Sequence, residues 1–182
     1  MRRRANRRAG RKAQGGGGPN GWQRYQMTQK LVAIGDDYYV EDESGERAFV
    51  VDGKALRLRD TLKMRDLRTD DKYRIQERIV RVRNTMTVSK NGKRATTVKK
   101  AIITPIRGRF TVQIPGNPDL RVQGNILDHE YRFTRGGDRV AEVSKRWFRV
   151  RDTYGIGVAP EMDAGLAVAT SVALDMMTRP GR

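Results

Sequence analysis

The sequence has no cysteine and one histidine. Without cysteine there is no disulfide framework, no thiolate zinc site and no thiol nucleophile. One imidazole cannot build a His-rich metal site and leaves little for an acid–base relay. No apolar run reaches the roughly 18 residues that a membrane-spanning helix needs. No apolar segment of a secretory signal opens the chain, so the expected location is cytoplasmic, at most peripheral at the inner membrane face. Acidic residues are also scarce, 21 against 38 basic ones, for a formal net charge of +17 over 182 residues. Such an excess points to an anionic partner, either nucleic acid or an anionic membrane surface.

The charge divides in two. Residues 1–21 read as a disordered basic tail and glycine-rich linker. Arg2, Arg3, Arg4, Arg7, Arg8, Arg11 and Lys12 are accompanied by no acid, and Gly15 to Gly18 lead into Pro19, Asn20 and Gly21. Such a segment cannot bury enough surface to offset its ordering entropy. It reads either as an arm for phosphates or as a solvated extension. The remaining 161 residues keep 31 basic and 21 acidic side chains, so this part is basic in its own right.

From Trp22 to about Pro160 the dominant pattern is alternation with a period of two. Candidate strands include residues 29–34, 38–42, 47–51, 110–114, 120–123 and 131–133. Ser44-Gly45, Asp52-Gly53, Asn91-Gly92, Pro115 to Asp119 and Gly136-Gly137-Asp138 supply turn chemistry between such runs. Roughly twelve short strands are expected, the pattern of an all-β sandwich or barrel. The C-terminus differs. Ala164 to Leu174 carry no charge, Asp163 can cap a helix, and Pro180 lies beyond its end. A helix over about 163–178 would lack a polar face, so it belongs inside something. The uncharged run would span about 16–17 Å at 1.5 Å per residue, short of a bilayer core. The expected architecture is therefore mostly β, an antiparallel closed barrel around a central apolar C-terminal helix. It is one domain over residues 22–182.

One hexapeptide recurs: Leu56 to Thr61, Val80 to Thr85 and Phe148 to Thr153 all read apolar-Arg-apolar-Arg-Asp/Asn-Thr. On a strand the two arginines share a face. Asp60, Asn84 and Asp152 would fall on the apolar face, so a bend, a bulge or backbone donors are expected there. The arginines serve either as phosphate-binding stripes or as solvent-facing stems covering a barrel wall.

Three longer blocks resemble bacterial LURP-one-related proteins. They are Arg24 to Lys30 with Ile34-Gly35-Asp36-Asp37-Tyr38, then Gly124 to Tyr131, then Val143 to Phe148. The similarity spans about residues 24 to 178, and the basic tail precedes the family's usual start. The resemblance implies the tubby C-terminal-like fold, twelve antiparallel strands around a C-terminal helix. It also places the chain in a superfamily with phosphoinositide-binding tubby proteins and phospholipid scramblases. The branch itself has no settled activity and no catalytic residues to carry over. Asp152-Thr-Tyr-Gly-Ile-Gly lacks the alternating oxygen ligands of an EF-hand-like loop, so calcium-dependent scrambling is not expected.

Among candidate sites, His129 in Asp128-His129-Glu130 reads as part of a polar turn or strand start. Asp36-Asp37 and Asp70-Asp71 read as turn residues. No nucleotide-binding glycine loop and no Gly-x-Ser-x-Gly elbow is present. No enzyme activity, metal or cofactor is expected. The best local binding candidate is Lys145-Arg146-Trp147 with Arg149 and Arg151, four cations around an indole that could sit at a membrane interface or stack on a base. Its bland alternative is a tryptophan anchored to the barrel wall. Arg57, Arg59, Arg81 and Arg83 of the repeats join the candidate set. The expected role is a non-enzymatic barrel that binds anionic ligands, preferably phospholipid headgroups, through a basic surface. The alternatives are nucleic-acid binding through the tail and a small-molecule carrier or enzyme with a barrel pocket.

Overall fold

A computed structural model describes residues 21–28, 37–52, 61–80, 83–101, 109–147 and 153–178. Residues 1–20 of the expected tail, the candidate strand at 29–34 and the last four residues lie outside the described residues. The strands are β1 (Gln23–Thr28), β2 (Tyr38–Asp42), β3 (Arg47–Asp52), β4 (Thr61–Asp66), β5 (Lys72–Val80) and β6 (Arg83–Lys90). They continue with β7 (Lys93–Lys100), β8 (Arg109–Gln113), β9 (Leu120–Asn125), β10 (Glu130–Arg135), β11 (Asp138–Ser144) and β12 (Thr153–Val158). A 3₁₀ turn at Lys145–Trp147 follows β11, and helix α1 (Ala164–Thr178) is the last element among the described residues.

Each strand pairs antiparallel with its neighbours in sequence, and β1 closes the ring on β12 from Gln23↔Val158 to Thr28↔Thr153. The result is a closed barrel of twelve strands, which leaves no edge to template aggregation. Expected turns fall where glycine and asparagine allow positive φ. Asn91 (φ 50°) and Gly92 (φ 81°) join Lys90 to its partner Lys93.

Alternation fills the interior. Leu62 and Met64 of β4, Tyr73 and Ile75 of β5, and Leu120 and Val122 of β9 are buried, while the residues between them are exposed. α1 occupies the barrel's centre, and every residue from Gly165 to Met177 is buried. Burying one Leu or Val of this kind contributes about 1.5–3 kcal/mol. The helix also has to fit. A Cβ on Gly165 would lie 2.2 Å from the Tyr73 hydroxyl, so glycine is what lets the first turn pass β5.

The same end is clamped by charge. Asp163 accepts the Leu166 N–H at 2.8 Å as N-cap, and its other oxygen accepts from Lys90 Nζ at 2.7 Å. Lys90 also lies 2.9 Å from Asp71, which accepts from the Asn91 amide at 2.7 Å. Asp71 thus does more than shape a turn: it ties the start of β5 to the β6–β7 hairpin. Burial pulls the Lys90 ammonium toward its neutral form, but its bonds to Asp163, Asp71 and Tyr73 outweigh this and raise its pKa. Burial, then the negative charge of Asp163, pushes the Tyr73 phenol up.

The hexapeptide repeat needs correction. Val80 at the end of β5 pairs with Arg83 at the start of β6, so the second copy is divided between two antiparallel strands. Alternation continues through a two-residue connection and therefore hides the reversal. At Asn84 the β5–β6 ladder runs without a register shift. The shift in β6 falls instead between Val88 and Ser89, against β7. Asp60 and Asp152 lie outside the described residues.

Gly165→Ala is expected to destabilise the fold by about 1–3 kcal/mol through overpacking. Tyr73→Phe in that background should recover part of the loss by removing the hydroxyl that the new methyl meets. Urea unfolding of both single variants and the double variant measures the coupling, and simple additivity would show that the two groups do not meet. A second expectation concerns pH. The Lys90 and Asn91 bonds hold the Asp71 carboxyl below its usual value of 3.8. A depressed carboxylate contributes stability above its unfolded pKa and loses it as pH falls through the folded one. Asp71→Asn should therefore be less stable than the parent at pH 6, and the gap should narrow below about pH 4. A gap that stays constant to pH 2.5 in denaturant titrations would contradict this.

Candidate functional site

A group of outward cations lies on β4 and β5. Because Leu62, Met64, Tyr73 and Ile75 point inward, Lys63, Arg65, Lys72 and Arg74 point to solvent. The register sets Arg65 opposite Lys72 and Lys63 opposite Arg74. Four cations thus form a two-by-two block, roughly 5 Å across the strands and roughly 7 Å along them. The same rows continue onto β3 and β2. Arg65 faces Val50, which faces Tyr39, and Lys63 faces Asp52. A groove of about 760 Å³ runs over these residues, with Leu67 at its rim.

Tyr39 and Leu67 are each 37% exposed and supply an apolar edge beside the block. The Arg47 guanidinium lies 3.8 Å from the Tyr39 ring centre and adds a cation there. Arg65 approaches Asp70 at 3.3 Å, but both are exposed, and such a pair contributes at most about 1 kcal/mol. Lys63, Lys72 and Arg74 make no ion pair among the described residues. The arrangement can hold an oxyanion between strands while an apolar or interfacial group lies against Tyr39 and Leu67.

The residues singled out from sequence are distributed differently. Arg57, Arg59, Arg81, Arg149, Arg151 and the tail residues Arg2, Arg3, Arg4, Arg7, Arg8, Arg11 and Lys12 lie outside the described residues. Arg83 begins β6. Lys145, Arg146 and Trp147 form the 3₁₀ turn, and Glu130 organises it. Glu130 accepts from the Ser144 hydroxyl at 2.9 Å and the Lys145 N–H at 3.0 Å, and it lies 3.7 Å from Arg146. Trp147 is half-buried over the outer face of β12. A Cβ on Gly157 would come within 2.7 Å of the Trp147 ring and 3.2 Å of Trp22. Both tryptophans therefore cover that strand.

Sequence reasoning missed a polar cluster inside the barrel. Tyr154 of β12 donates to Asp175 Oδ2 at 2.6 Å, beside the Met27 sulfur of β1. The His129 ring stacks on Tyr154 with centroids 4.1 Å apart, and its Nδ1 lies 3.4 Å from Asp175 Oδ1. His129 sits at φ 51° just before β10, in the polar turn expected from its sequence, yet its ring is buried. Burial, and then the charge of Asp175, raises the pKa values of Tyr154 and Tyr131 well above the usual phenol. The lone acid in the buried part of α1 was the available signal. Among the described residues no group of three or more His, Cys, Asp or Glu converges to hold a metal ion.

A closed antiparallel barrel around a buried C-terminal helix is the tubby-like architecture, so the fold defines the class first. The chain belongs to the LURP-one-related family, whose sequence profile matches residues 23–175. It is 25% identical over 151 residues to the uncharacterised protein YxjI of Bacillus subtilis, covering 83% of this chain and 91% of YxjI. It superimposes on the Arabidopsis thaliana protein AT5G01750 with a TM-score of 0.59 at 17% identity, over 86% of this chain and 92% of the plant one. That second likeness is one of fold. No helix among the described residues is long and apolar enough to cross a membrane.

Gly157→Ala is expected to displace the tryptophans, red-shift their emission and cost about 1–3 kcal/mol. Arg146→Ala, at a side chain 85% exposed, should change stability by less than about 0.5 kcal/mol. Fluorescence-monitored unfolding reads both, and an unshifted spectrum for Gly157→Ala would show that the indoles do not rest on that strand.

Proposed function

We propose that this LURP-one-related barrel is a non-enzymatic module that binds anionic phospholipid surfaces through the β4–β5 wall. The observation that carries this reading is the cation block Lys63, Arg65, Lys72 and Arg74 beside the exposed Tyr39 and Leu67. Anionic headgroups attract surface cations with about 1 kcal/mol each near the membrane. An exposed aromatic and an exposed leucine beside those cations suit the interfacial layer, where amphipathic and apolar groups gain. Occupation of the barrel's centre by α1 weighs against a carrier pocket there. Nucleic acid is the second reading, and it rests on seven cations without an acid in residues 1–20. Binding of that kind would be strongly salt-dependent and would be lost with the tail.

Co-sedimentation of the full chain with phosphatidylglycerol and phosphatidylcholine vesicles tests the first reading. The parent should bind the anionic vesicles and leave the neutral ones. Lys63→Gln with Arg74→Gln should weaken anionic binding about ten-fold or more. Equal affinity for both vesicle types, or an unchanged double variant, would contradict the assignment.

A further inference from the structure

Five strands further round the barrel, a second groove of about 1010 Å³ crosses β8 to β11. Its rows run without a shift from β8 to β10, and a register shift between Phe133 and Thr134 lies against β11. Thr111 faces Arg121, Arg121 faces Thr134, and Thr134 faces Arg139, while Gln123 faces Arg132 in the next row. Leu120, Val122, Tyr131 and Phe133 are buried on the inner side, so Arg121, Gln123 and Arg132 stand in solvent. Arg121 and Arg132 are diagonal neighbours, roughly 7–8 Å apart at the backbone, within reach of one shared oxyanion. Neither makes an ion pair among the described residues. Glu142, which faces Arg132 across β11, is taken by Arg139 at 2.5 Å.

The chemistry of this groove differs from that of the β4–β5 wall. Among the described residues no apolar or aromatic side chain lines it, so they offer nothing to an acyl chain or a stacked base. Two guanidiniums provide forked donors matched to a phosphate. Around them stand groups that exchange hydrogen bonds with hydroxyls: the Gln123 amide, the Thr111 and Thr134 hydroxyls, and the Asp119 carboxylate. We propose that this groove binds a phosphorylated polyol, with Arg121 and Arg132 on the phosphate and Gln123, Thr134 and Asp119 on the hydroxyl groups. The assignment is independent of the vesicle-binding wall, because the two sites share no residue.

Calorimetric titration of the full chain with glucose 6-phosphate, glucose and inorganic phosphate tests it. Glucose 6-phosphate should bind about ten-fold or more tighter than phosphate, and glucose should give no heat. Arg121→Gln and Arg132→Gln should each weaken glucose 6-phosphate about ten-fold or more and leave the circular dichroism spectrum unchanged. Gln123→Ala should weaken glucose 6-phosphate and spare inorganic phosphate. The same chemistry exists on a membrane as the phosphatidylinositol headgroup. Sensitivity of phosphatidylinositol vesicles, but not of glucose 6-phosphate, to Arg121→Gln would assign the groove to the lipid-borne form. Both arginine variants should keep the parent's binding to phosphatidylserine vesicles, whose headgroup is anionic but carries no polyol, which separates this site from the β4–β5 wall. Phosphate binding as tightly as glucose 6-phosphate would mean an adventitious ion only and would overturn the proposal. So would Arg121→Gln and Arg132→Gln variants that match the parent with every ligand.

Discussion

An α-helix without a polar face has to be enclosed, and everything else in this fold answers to that requirement. α1 is buried from Gly165 to Met177, and a closed ring of twelve strands is what encloses it. The small residues Gly165, Ala167, Ala169 and Ala173 let the wall approach, and at Gly165 a Cβ would meet the Tyr73 hydroxyl. Polar groups then fix the helix axially. Asp163 with Lys90 and Asp71 holds its N-terminal end, and the bond from Tyr154 to Asp175 holds the other. A buried carboxylate is costly unless bonded, so the Tyr154 hydroxyl at Asp175 stabilises the docked helix against a slipped one.

With the centre filled, chemistry moves to the outer wall. Strand parity turns every second residue outward, and in this chain many of those residues are Lys or Arg. Register then decides which of them become neighbours. On β4 and β5 it gathers four cations next to exposed apolar side chains. On β9 and β10 it sets two arginines among amides and hydroxyls. The same positive excess therefore produces two surfaces of different chemical character.

Much of the fold was legible because its signals are local. Period-two alternation, Asn-Gly and Gly-Gly turns, the Asp163 cap and an uncharged run from Ala164 to Leu174 each sit within a few residues of one another. The surfaces were less legible because they depend on pairing between strands. Lys63 and Arg74 are eleven residues apart, and only the β4–β5 register makes them adjacent. The repeated Arg-x-Arg motif drew attention because repetition is visible in a string. Yet its second copy is divided between β5 and β6, a reversal that alternation cannot reveal. Asp175 and Tyr154 lie 21 residues apart on a helix and a strand, so the lone acid in α1 marked a buried polar group without naming its partner. The contact of the Trp147 ring with Gly157 of β12 likewise joins two separate elements, and neither segment displays it.

Native-state hydrogen exchange of the backbone amides tests most directly whether α1 is the core of the barrel rather than a segment docked into it. Amides from Val168 to Asp175 should exchange only through global unfolding, with the same opening free energy as β5 and β6 and the same dependence on denaturant. Helix amides that exchange through a separate, lower-energy opening while the strands stay protected would contradict the claim that the barrel is built around its helix.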